Sequence, residues 1–207
     1  MILSLENLKS KYDLKIKGVL HIGAHFGQEY EIYEKLGINN LIFFEPVSST
    51  FRRLKNNIGG KAILLNTALG NMQGQIEMFI EIANEGQSNS ILSPEYHLVK
   101  YPGIIFRGKE KVTITKLDNF IKVKDYFNFI NIDVQGYELE VFKGSINFLK
   151  NIDYILTEVN KASLYKNCPL IEDLDIFLSE HGFTRVETEW FLDHNWGDAF
   201  YIKKNLL

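Results

Sequence analysis

The chain has 207 residues, of which 45% are hydrophobic, and this predicts one globular domain spanning residues 1–207. Its formal net charge of -3 provides no basic field, which argues against nucleic acid or an anionic membrane as the partner. The single cysteine, Cys168, excludes an internal disulfide and a thiolate zinc site. No apolar run approaches the ~20 residues of a membrane span, and the N-terminus lacks a signal-peptide core, so we expect a cytoplasmic protein.

Short β-branched or aromatic segments alternate with stretches of helical periodicity, which predicts an α/β fold with a largely parallel sheet. The predicted strands are Lys17–Ile22, Asn40–Glu45, Lys61–Asn66, Gly74–Ile82, the start of Lys111–Ile121, Asn128–Asp133, Tyr154–Val159, Phe183–Thr188 and Asp198–Lys203. The predicted helices are Gln28–Leu36, Val47–Asn57, about Gly136–Leu149 and Ile171–His181. The last two strands are close enough in sequence to pair antiparallel. Residues 84–110 are irregular and contain two prolines, so we expect a lid or substrate-facing insertion there.

The first predicted strand ends in HIGAHFG, and ligands bind at the carboxyl ends of strands in open parallel sheets. Gly23, Ala24 and Gly27 let the backbone approach a ligand closely, and the following helix offers its N-terminal N–H groups to an anion. The spacing is not the G-x-G-x-x-G of dinucleotide binding. By itself this segment is equally consistent with an ordinary tight turn.

Carboxylates close three other predicted strands. Glu45 ends the second strand about twenty residues after the glycines, where a carboxylate can accept hydrogen bonds from both ribose hydroxyls. Pro46 then presets the turn into the next helix. Asp133 either caps a helix or faces the crevice as a base, a metal ligand or the partner of a cationic group. Glu158 closes the strand that follows Asp133 in the chain.

In this order the strand ends resemble those of the FkbM family of S-adenosylmethionine-dependent methyltransferases. The matching segments are HIGAHFGQE, LIFFEPVSSTFRRLKNNI, NTALGNMQGQIEMF, the loop around GQSNS, TKLDNFI, NFINIDVQGYELEVFKGS and YILTEVN. The resemblance implies a Rossmann-like class I methyltransferase fold. Its sheet is seven-stranded and mostly parallel, with an antiparallel last strand and helices on both faces.

The resemblance also implies a binding site for S-adenosylmethionine. Matched by position, the cofactor-binding residues are His21, Gly23, Ala24, His25 and Gly27 near the methionine part, Glu45 and Pro46 at the ribose, Ala68 and Leu69 near the adenine, Ser90 in a covering loop, and Asp133 near the amino and methyl groups. His21 stands where the family has an acid, and His25 where it has asparagine. Because histidine cannot replace a carboxylate beside an ammonium group, Asp133 is expected to take that role.

The family's acceptors imply an O-methyltransferase that acts on a hydroxyl of a sugar, polysaccharide or glycosylated metabolite. Such a hydroxyl must be aligned and must lose its proton, and Asp133 and Glu158 are the predicted base and orienting group. The predicted substrate contacts are Tyr137, Glu138, Asn160 and Trp196. Magnesium held by Asp133, Glu158 and Asn160 is left open, although these form a sparse ligand set for that ion.

Three other functions compete with this interpretation. An NAD-dependent oxidoreductase could use Glu45 for ribose, but the missing G-x-G-x-x-G argues against it. A silent glycan-binding module on the same scaffold would bind the cofactor without transferring a methyl group. A metal hydrolase could use His21, His25 and Glu29, but two histidines four residues apart share a metal when they lie on a helix, and these lie across a strand end.

Overall fold

The computed structural model describes all 207 residues and contains a main sheet of seven strands. The strands of the protein are β1 (Gly18–Ile22), β2 (Asn40–Phe44), β3 (Ile63–Leu65), β4 (Ala68–Leu69), β5 (Gly74–Glu81), β6 (Phe106–Thr115), β7 (Phe129–Ile132), β8 (Tyr154–Asn160), β9 (Phe183–Trp190) and β10 (Trp196–Lys203). The main sheet has the order β3-β2-β1-β7-β8-β10-β9. Neighbours from β3 to β8 are parallel, and β10 is antiparallel to both β8 and β9. The predicted fold class is confirmed, including the antiparallel last strand.

Helices cover both faces of this sheet. They are α1 (Leu5–Tyr12), α2 (Tyr30–Lys35), α3 (Ser48–Ile58), α4 (Glu95–Lys100), α5 (Glu138–Lys143) and α6 (Ile171–Glu180), with 3-10 turns at Gly59–Lys61, Leu117–Tyr126, Phe148–Asn151 and Lys204–Leu206. Side chains from α5 and α6 pack in one core cluster with Leu20, whereas α1, α2 and α3 pack in another with Val19. Successive residues of β1 thus point to opposite faces, and both faces are buried. None of the six α-helices combines the length and the hydrophobicity of a membrane span.

The helix predicted over Gly136–Leu149 is wrong in length. Only α5 is α-helical, because the chain turns at Gly144, where a Cβ atom would lie 2.0 Å from a backbone oxygen. The carboxylate of Asp118 then accepts a hydrogen bond from the backbone nitrogen of Phe148 (2.8 Å) and begins a separate 3-10 turn. The apolar periodicity continues across the break, so the sequence pattern suggested one helix.

The sequence prediction lacked α4, which lies in the segment expected to be irregular, and two further features. The first is α1, which is capped by Ser4, whose Oγ accepts a hydrogen bond from the backbone nitrogen of Asn7 (3.3 Å). The second is a small sheet of order β4-β6-β5, in which β5 and β6 pair antiparallel. Residues 84–110 contain the turn after β5, then α4 and the first half of β6. This segment contributes to the wall of the cavity described below.

Candidate active site

A cavity of about 640 Å³ opens at the carboxyl ends of β1, β2, β7 and β8. Of the predicted site residues, those that line it are His21, Gly23, Ala24, His25, Glu45, Pro46, Ala68, Leu69, Asp133, Glu158, Tyr137 and Trp196. Gly27, Ser90, Glu138 and Asn160 do not line it. Most of the predicted site residues therefore lie around one space large enough for a cofactor and part of a substrate.

The turn after β1 is held tightly against the ends of β2 and β7. The backbone nitrogens of Gly23 and Ala24 both donate to the carbonyl oxygen of Phe44 (3.0 Å each). Gly23 has a φ of +81°, and a Cβ atom on it would lie 1.8 Å from the carbonyl oxygen of Asp133. The position requires glycine for two reasons, a left-handed backbone and a close approach of two strand ends. Gly27 also has a left-handed φ of +79°, but its Cβ would meet side chains of α3 and not backbone.

Glu45 places a buried carboxylate in the cavity wall. Its Oε2 accepts a hydrogen bond from the backbone nitrogen of His25 (3.0 Å), and its Oε1 accepts one from that of Val47 (2.8 Å). Burial nevertheless raises the pKa of Glu45 to about 8. Each oxygen retains a lone pair after these bonds, so the carboxylate can still accept hydrogen bonds from two hydroxyls.

Asp133 and Glu158 are joined by one amide group. The side-chain nitrogen of Gln135 donates to Asp133 Oδ1 (2.9 Å) and to Glu158 Oε2 (2.8 Å). The hydroxyl of Tyr165 donates to Gln135 Oε1 (2.8 Å), which fixes the orientation of the amide. Burial and then the charge of Asp133 raise the pKa of Glu158 well above its ordinary value. The pair thus favours a state in which Glu158 carries a proton.

His21 is buried and neutral. The Tyr33 hydroxyl accepts from the Asn131 amide nitrogen (2.6 Å) and is hydrogen-bonded to His21 Nδ1 (2.9 Å). The other ring nitrogen, Nε2, lies 3.9 Å from Glu29 Oε2. Burial lowers the pKa of His21.

His25 connects the β1 turn to the insertion. The Gln28 amide donates to His25 Nδ1 (2.9 Å), and His25 Nε2 donates to the carbonyl oxygen of Glu85 (2.9 Å). Both ring nitrogens of His25 are therefore occupied by protein partners. Since Nδ1 of His21 is occupied as well, the arrangement does not favour a metal shared by His21, His25 and Glu29.

The chain from residue 21 to residue 185 matches the family model described as the Methyltransferase FkbM domain. This range covers most of the protein and all of the strand ends around the cavity. The chain belongs to the FkbM methyltransferase family. The predicted family membership is confirmed.

Two curated relatives of this FkbM protein are methyltransferases by name. The 2-O-methyltransferase NoeI of Sinorhizobium fredii is 28% identical over 173 residues, which cover 78% of this chain and 71% of NoeI. The hexuronic acid methyltransferase AglP of Haloferax volcanii is 27% identical over 128 residues, which cover 58% of this chain but only 47% of AglP.

A solved structure supports the class I fold. M. capricolum TrmK in complex with S-adenosyl-homocysteine has a TM-score of 0.50 and 13% identity, and the match covers 99% of this chain and 70% of TrmK. At this identity the likeness concerns the fold. The FkbM chain accordingly has the fold of S-adenosylmethionine-dependent methyltransferases.

The geometry does not fit a magnesium ion at Asp133, Glu158 and Asn160. The Gln135 amide nitrogen already donates to both carboxylates from the space between them, and Asn160 does not line the cavity. No group of three or more histidine, cysteine or acidic side chains has the arrangement of a metal site.

Two of the predicted contacts, Glu138 and Ser90, have structural partners instead, whereas a third, Asn160, is buried with its side-chain Oδ1 unpartnered. Glu138 is 1% exposed, and its Oε1 accepts from the backbone nitrogens of Val134 (3.0 Å) and Gly136 (3.2 Å). Ser90 donates to the carbonyl oxygen of Gln135 (2.7 Å). Asn160 is 2% exposed and does not line the cavity. The strand-end rule located these residues near the site, but the turn after β7 points Glu138 inward.

Several cavity residues were missed by sequence reasoning. They are Gln135, His97, Tyr101 and Asp198. Asp198 had a sequence signal, because it stands in an otherwise apolar strand, DAFYI. His97 and Tyr101 lie in and beside a six-residue helix within the irregular insertion, where no periodicity indicates which side chains face inward.

The burial of Glu138 in the turn after β7 should make the stability of the protein depend on pH. Burial raises its pKa to about 7, so the folded protein binds this proton more tightly than the unfolded chain, and stability falls as pH rises from about 4.5 to 7. Glu138→Gln can keep both backbone hydrogen bonds through one carbonyl oxygen. We compare the free energy of unfolding of Glu138→Gln with that of the parent at each pH. We expect this difference to be on the order of 1 to 3 kcal/mol more favourable to the variant at pH 8.5 than at pH 4.5. Urea unfolding at both pH values measures this difference, and Glu180→Gln, at an exposed position, is the control. If the relative stability of both variants changes equally with pH, the effect does not come from the buried Glu138 carboxyl.

Proposed function

We propose that this FkbM protein transfers the methyl group of S-adenosylmethionine to a hydroxyl of a sugar, polysaccharide or glycosylated metabolite. The observation that carries the proposal is a single cavity that joins the β1 turn, the buried Glu45 carboxylate and the Asp133–Glu158 pair. The name of NoeI, a 2-O-methyltransferase, supports transfer to an oxygen, and the name of AglP, a hexuronic acid methyltransferase, supports a saccharide acceptor. The proposal extends their chemistry to this chain.

The cofactor side of the cavity is formed by β1, β2 and β4. Glu45 would accept hydrogen bonds from the ribose hydroxyls, and Ala68 and Leu69 would lie against the adenine. The methionine part would lie along Gly23 and Ala24. When bound, S-adenosylmethionine supplies a methyl group on a sulfonium, and S-adenosylhomocysteine is left after transfer.

The acceptor side depends on the Asp133–Glu158 pair. Because Glu158 favours its protonated form, Asp133 is the group that would take the proton of the acceptor hydroxyl. Gln135 would hold the two side chains in fixed relative positions through its amide. Glu158 would orient the acceptor by donating its proton to a second oxygen.

Calorimetric titration with S-adenosylhomocysteine and with NAD tests the cofactor. We expect S-adenosylhomocysteine to bind and NAD not to bind. Binding of NAD alone would overturn the proposal in favour of an oxidoreductase. Radiolabelled methyl transfer to a panel of glycans then tests the reaction, and cofactor binding without transfer would favour a silent glycan-binding module.

Cofactor affinity should depend on pH through Glu45. Ribose hydroxyls donate hydrogen bonds to the ionised carboxylate, so binding favours loss of the proton that the empty site holds below its pKa of about 8. We expect S-adenosylhomocysteine to bind about tenfold more tightly at pH 8.5 than at pH 6.5, with proton release. Calorimetry in buffers of different ionisation enthalpy measures both quantities. An affinity that falls over this range would contradict the ribose role of Glu45.

A further inference from the structure

The cavity has a second, aromatic end. Tyr101, Phe191, His194 and Trp196, which we call the aromatic wall, all line it. The rings of Phe191 and Trp196 stack with centroids 4.7 Å apart, and those of Tyr101 and His194 stack at 5.3 Å. Stacked aromatic rings with polar edges suit the apolar face of a sugar ring and its hydroxyls.

The aromatic wall is formed by two segments that are distant in sequence. Tyr101 follows α4 in the insertion, and the other three rings lie in or beside the loop between β9 and β10. The Tyr101 hydroxyl and His194 Nδ1 are hydrogen-bonded at 2.8 Å, which ties the two segments together. The wall is thus a constructed surface and not a chance grouping of exposed rings.

The aromatic wall lies next to the carboxylates of the acceptor side. Trp196 and Asp198 are two residues apart on β10 and point to the same face, so their Cα atoms are separated by roughly 7 Å. Asp198 pairs across the strands with Glu158. A sugar ring on the aromatic wall would therefore present its hydroxyls to these acids.

Two buried polar atoms in this part of the cavity wall have no hydrogen-bond partner. Asp198 is 1% exposed, and its Oδ1 is unpartnered although its Oδ2 accepts from the backbone nitrogens of Ile2 and Leu3. His97 is 5% exposed, and its Nδ1 is unpartnered. Buried polar atoms without partners are costly, so both sites favour a ligand that supplies hydrogen bonds. Hydroxyl groups donate to a carboxylate, whereas another carboxylate does not.

The charge of the cavity wall is strongly one-sided. Its acidic side chains are those of Glu29, Glu45, Asp133, Glu158 and Asp198, of which Glu45 and Glu158 favour their protonated forms in the empty site. The basic side chains that line it are all histidines, and burial lowers the pKa of His97, which keeps that ring neutral. The amino group of Met1 is already paired with Glu29 Oε1 (3.7 Å). An anionic sugar on the aromatic wall would meet the Asp198 carboxylate, and no lysine or arginine lines the cavity to offset it, which opposes its binding.

We infer that the aromatic wall and Asp198 bind an uncharged saccharide ring as the methyl acceptor and discriminate against hexuronates. This inference rests on the proposed function and narrows its substrate class. It separates the protein from AglP, whose name specifies a hexuronic acid.

Saturation-transfer NMR with and without S-adenosylhomocysteine tests the inference on the full chain. The probes are the methyl glycosides of glucose, galactose and mannose, each beside the corresponding uronate and the methyl ester of that uronate. We expect each neutral glycoside to bind at least about tenfold more tightly than its uronate, and the methyl ester to recover most of the difference. Uronates that bind as tightly as the neutral sugars, or no binding by either series, would overturn the inference.

Two matched variants locate the effect in the cavity. Ile104 lines the cavity, whereas the neighbouring Ile105 is exposed and lies outside it. Ile104→Lys should reduce the preference for neutral sugars at least about threefold by adding a cation to the wall, and Ile105→Lys should leave it unchanged. Trp196→Ala should weaken the binding of every glycoside. Equal effects of the two lysine variants, or no effect of Trp196→Ala, would overturn the inference.

The saccharide titrations without S-adenosylhomocysteine keep this inference distinct from the proposed function. A protein that binds neutral sugars but no cofactor would refute the methyltransferase proposal and leave the saccharide site standing. A protein that binds the cofactor and prefers uronates would refute the saccharide inference alone.

Discussion

Glu45→Gln is expected to weaken S-adenosylhomocysteine binding by about 30-fold. A hydrogen bond to a charged group contributes about 1 kcal/mol more than a neutral one, and two ribose hydroxyls would lose this difference, which gives roughly 2 kcal/mol. Glu45→Ala should weaken S-adenosylhomocysteine binding by more than 100-fold, on the order of 3 kcal/mol, because it removes both hydrogen-bond acceptors. Calorimetry at pH 8.5 measures both variants. Glu77→Gln, an exposed carboxylate paired with Lys109, is the control and should bind normally.

The stability of the same variants distinguishes a binding role from a folding role. Because burial raises the pKa of Glu45 to about 8, the folded state holds its proton more tightly than the unfolded chain, and the stability of the cofactor-free protein falls between about pH 4.5 and 8. In Glu45→Gln the stability no longer depends on the ionisation of this side chain, but one of the two backbone N–H groups that donated to Glu45 now faces the amide NH2 group. It should be less stable than the parent at pH 5, and the difference should shrink by pH 9. A loss of affinity with equal loss of stability at both pH values would point to a folding role.

The main sheet was predictable because its central strands are short, apolar and buried on both faces. β1, β2, β7 and β8 appear in the sequence as short segments rich in β-branched and aromatic residues, and nearly all of their positions are buried. The polar residues that end them, Glu45 and Asp133, were predictable for the same reason. Local sequence patterns indicate which faces of a segment are buried, and this information was sufficient to predict the central strands of the main sheet and the acidic residues at their ends.

The rest of the cavity depends on contacts between distant segments. Gln135 joins Asp133 to Glu158 because its backbone adopts a φ of +55°, which the letter Q does not indicate. His97 is buried because its backbone nitrogen donates to the carbonyl oxygen of Leu164 (2.7 Å), far along the chain. Trp196 was predicted as a substrate contact, but Tyr101, which completes the aromatic wall, comes from the insertion. Such pairings are set by tertiary packing.

Gly23→Ala is expected to disrupt both the fold and the cofactor site. The added Cβ would lie 1.8 Å from the carbonyl oxygen of Asp133, and the φ of +81° also disfavours any side chain. The left-handed backbone costs about 1 to 2 kcal/mol, and relief of the collision requires β1 and β7 to separate at their ends. We expect a total loss of about 4 kcal/mol in the free energy of unfolding, at the severe end for a single substitution, with no measurable S-adenosylhomocysteine binding.

Two other glycines separate these contributions. Gly37 has a φ of +71°, and a Cβ atom added to it would have no heavy atom within 4 Å, so Gly37→Ala isolates the backbone cost. Gly60 has open space and no left-handed φ, so Gly60→Ala should change stability by less than about 0.5 kcal/mol. Urea unfolding of all three variants measures the collision as the difference between Gly23→Ala and Gly37→Ala. If that difference is close to zero, the β1 and β7 ends are not in fixed contact, and the rigid cofactor turn that this contact implies would have to be abandoned.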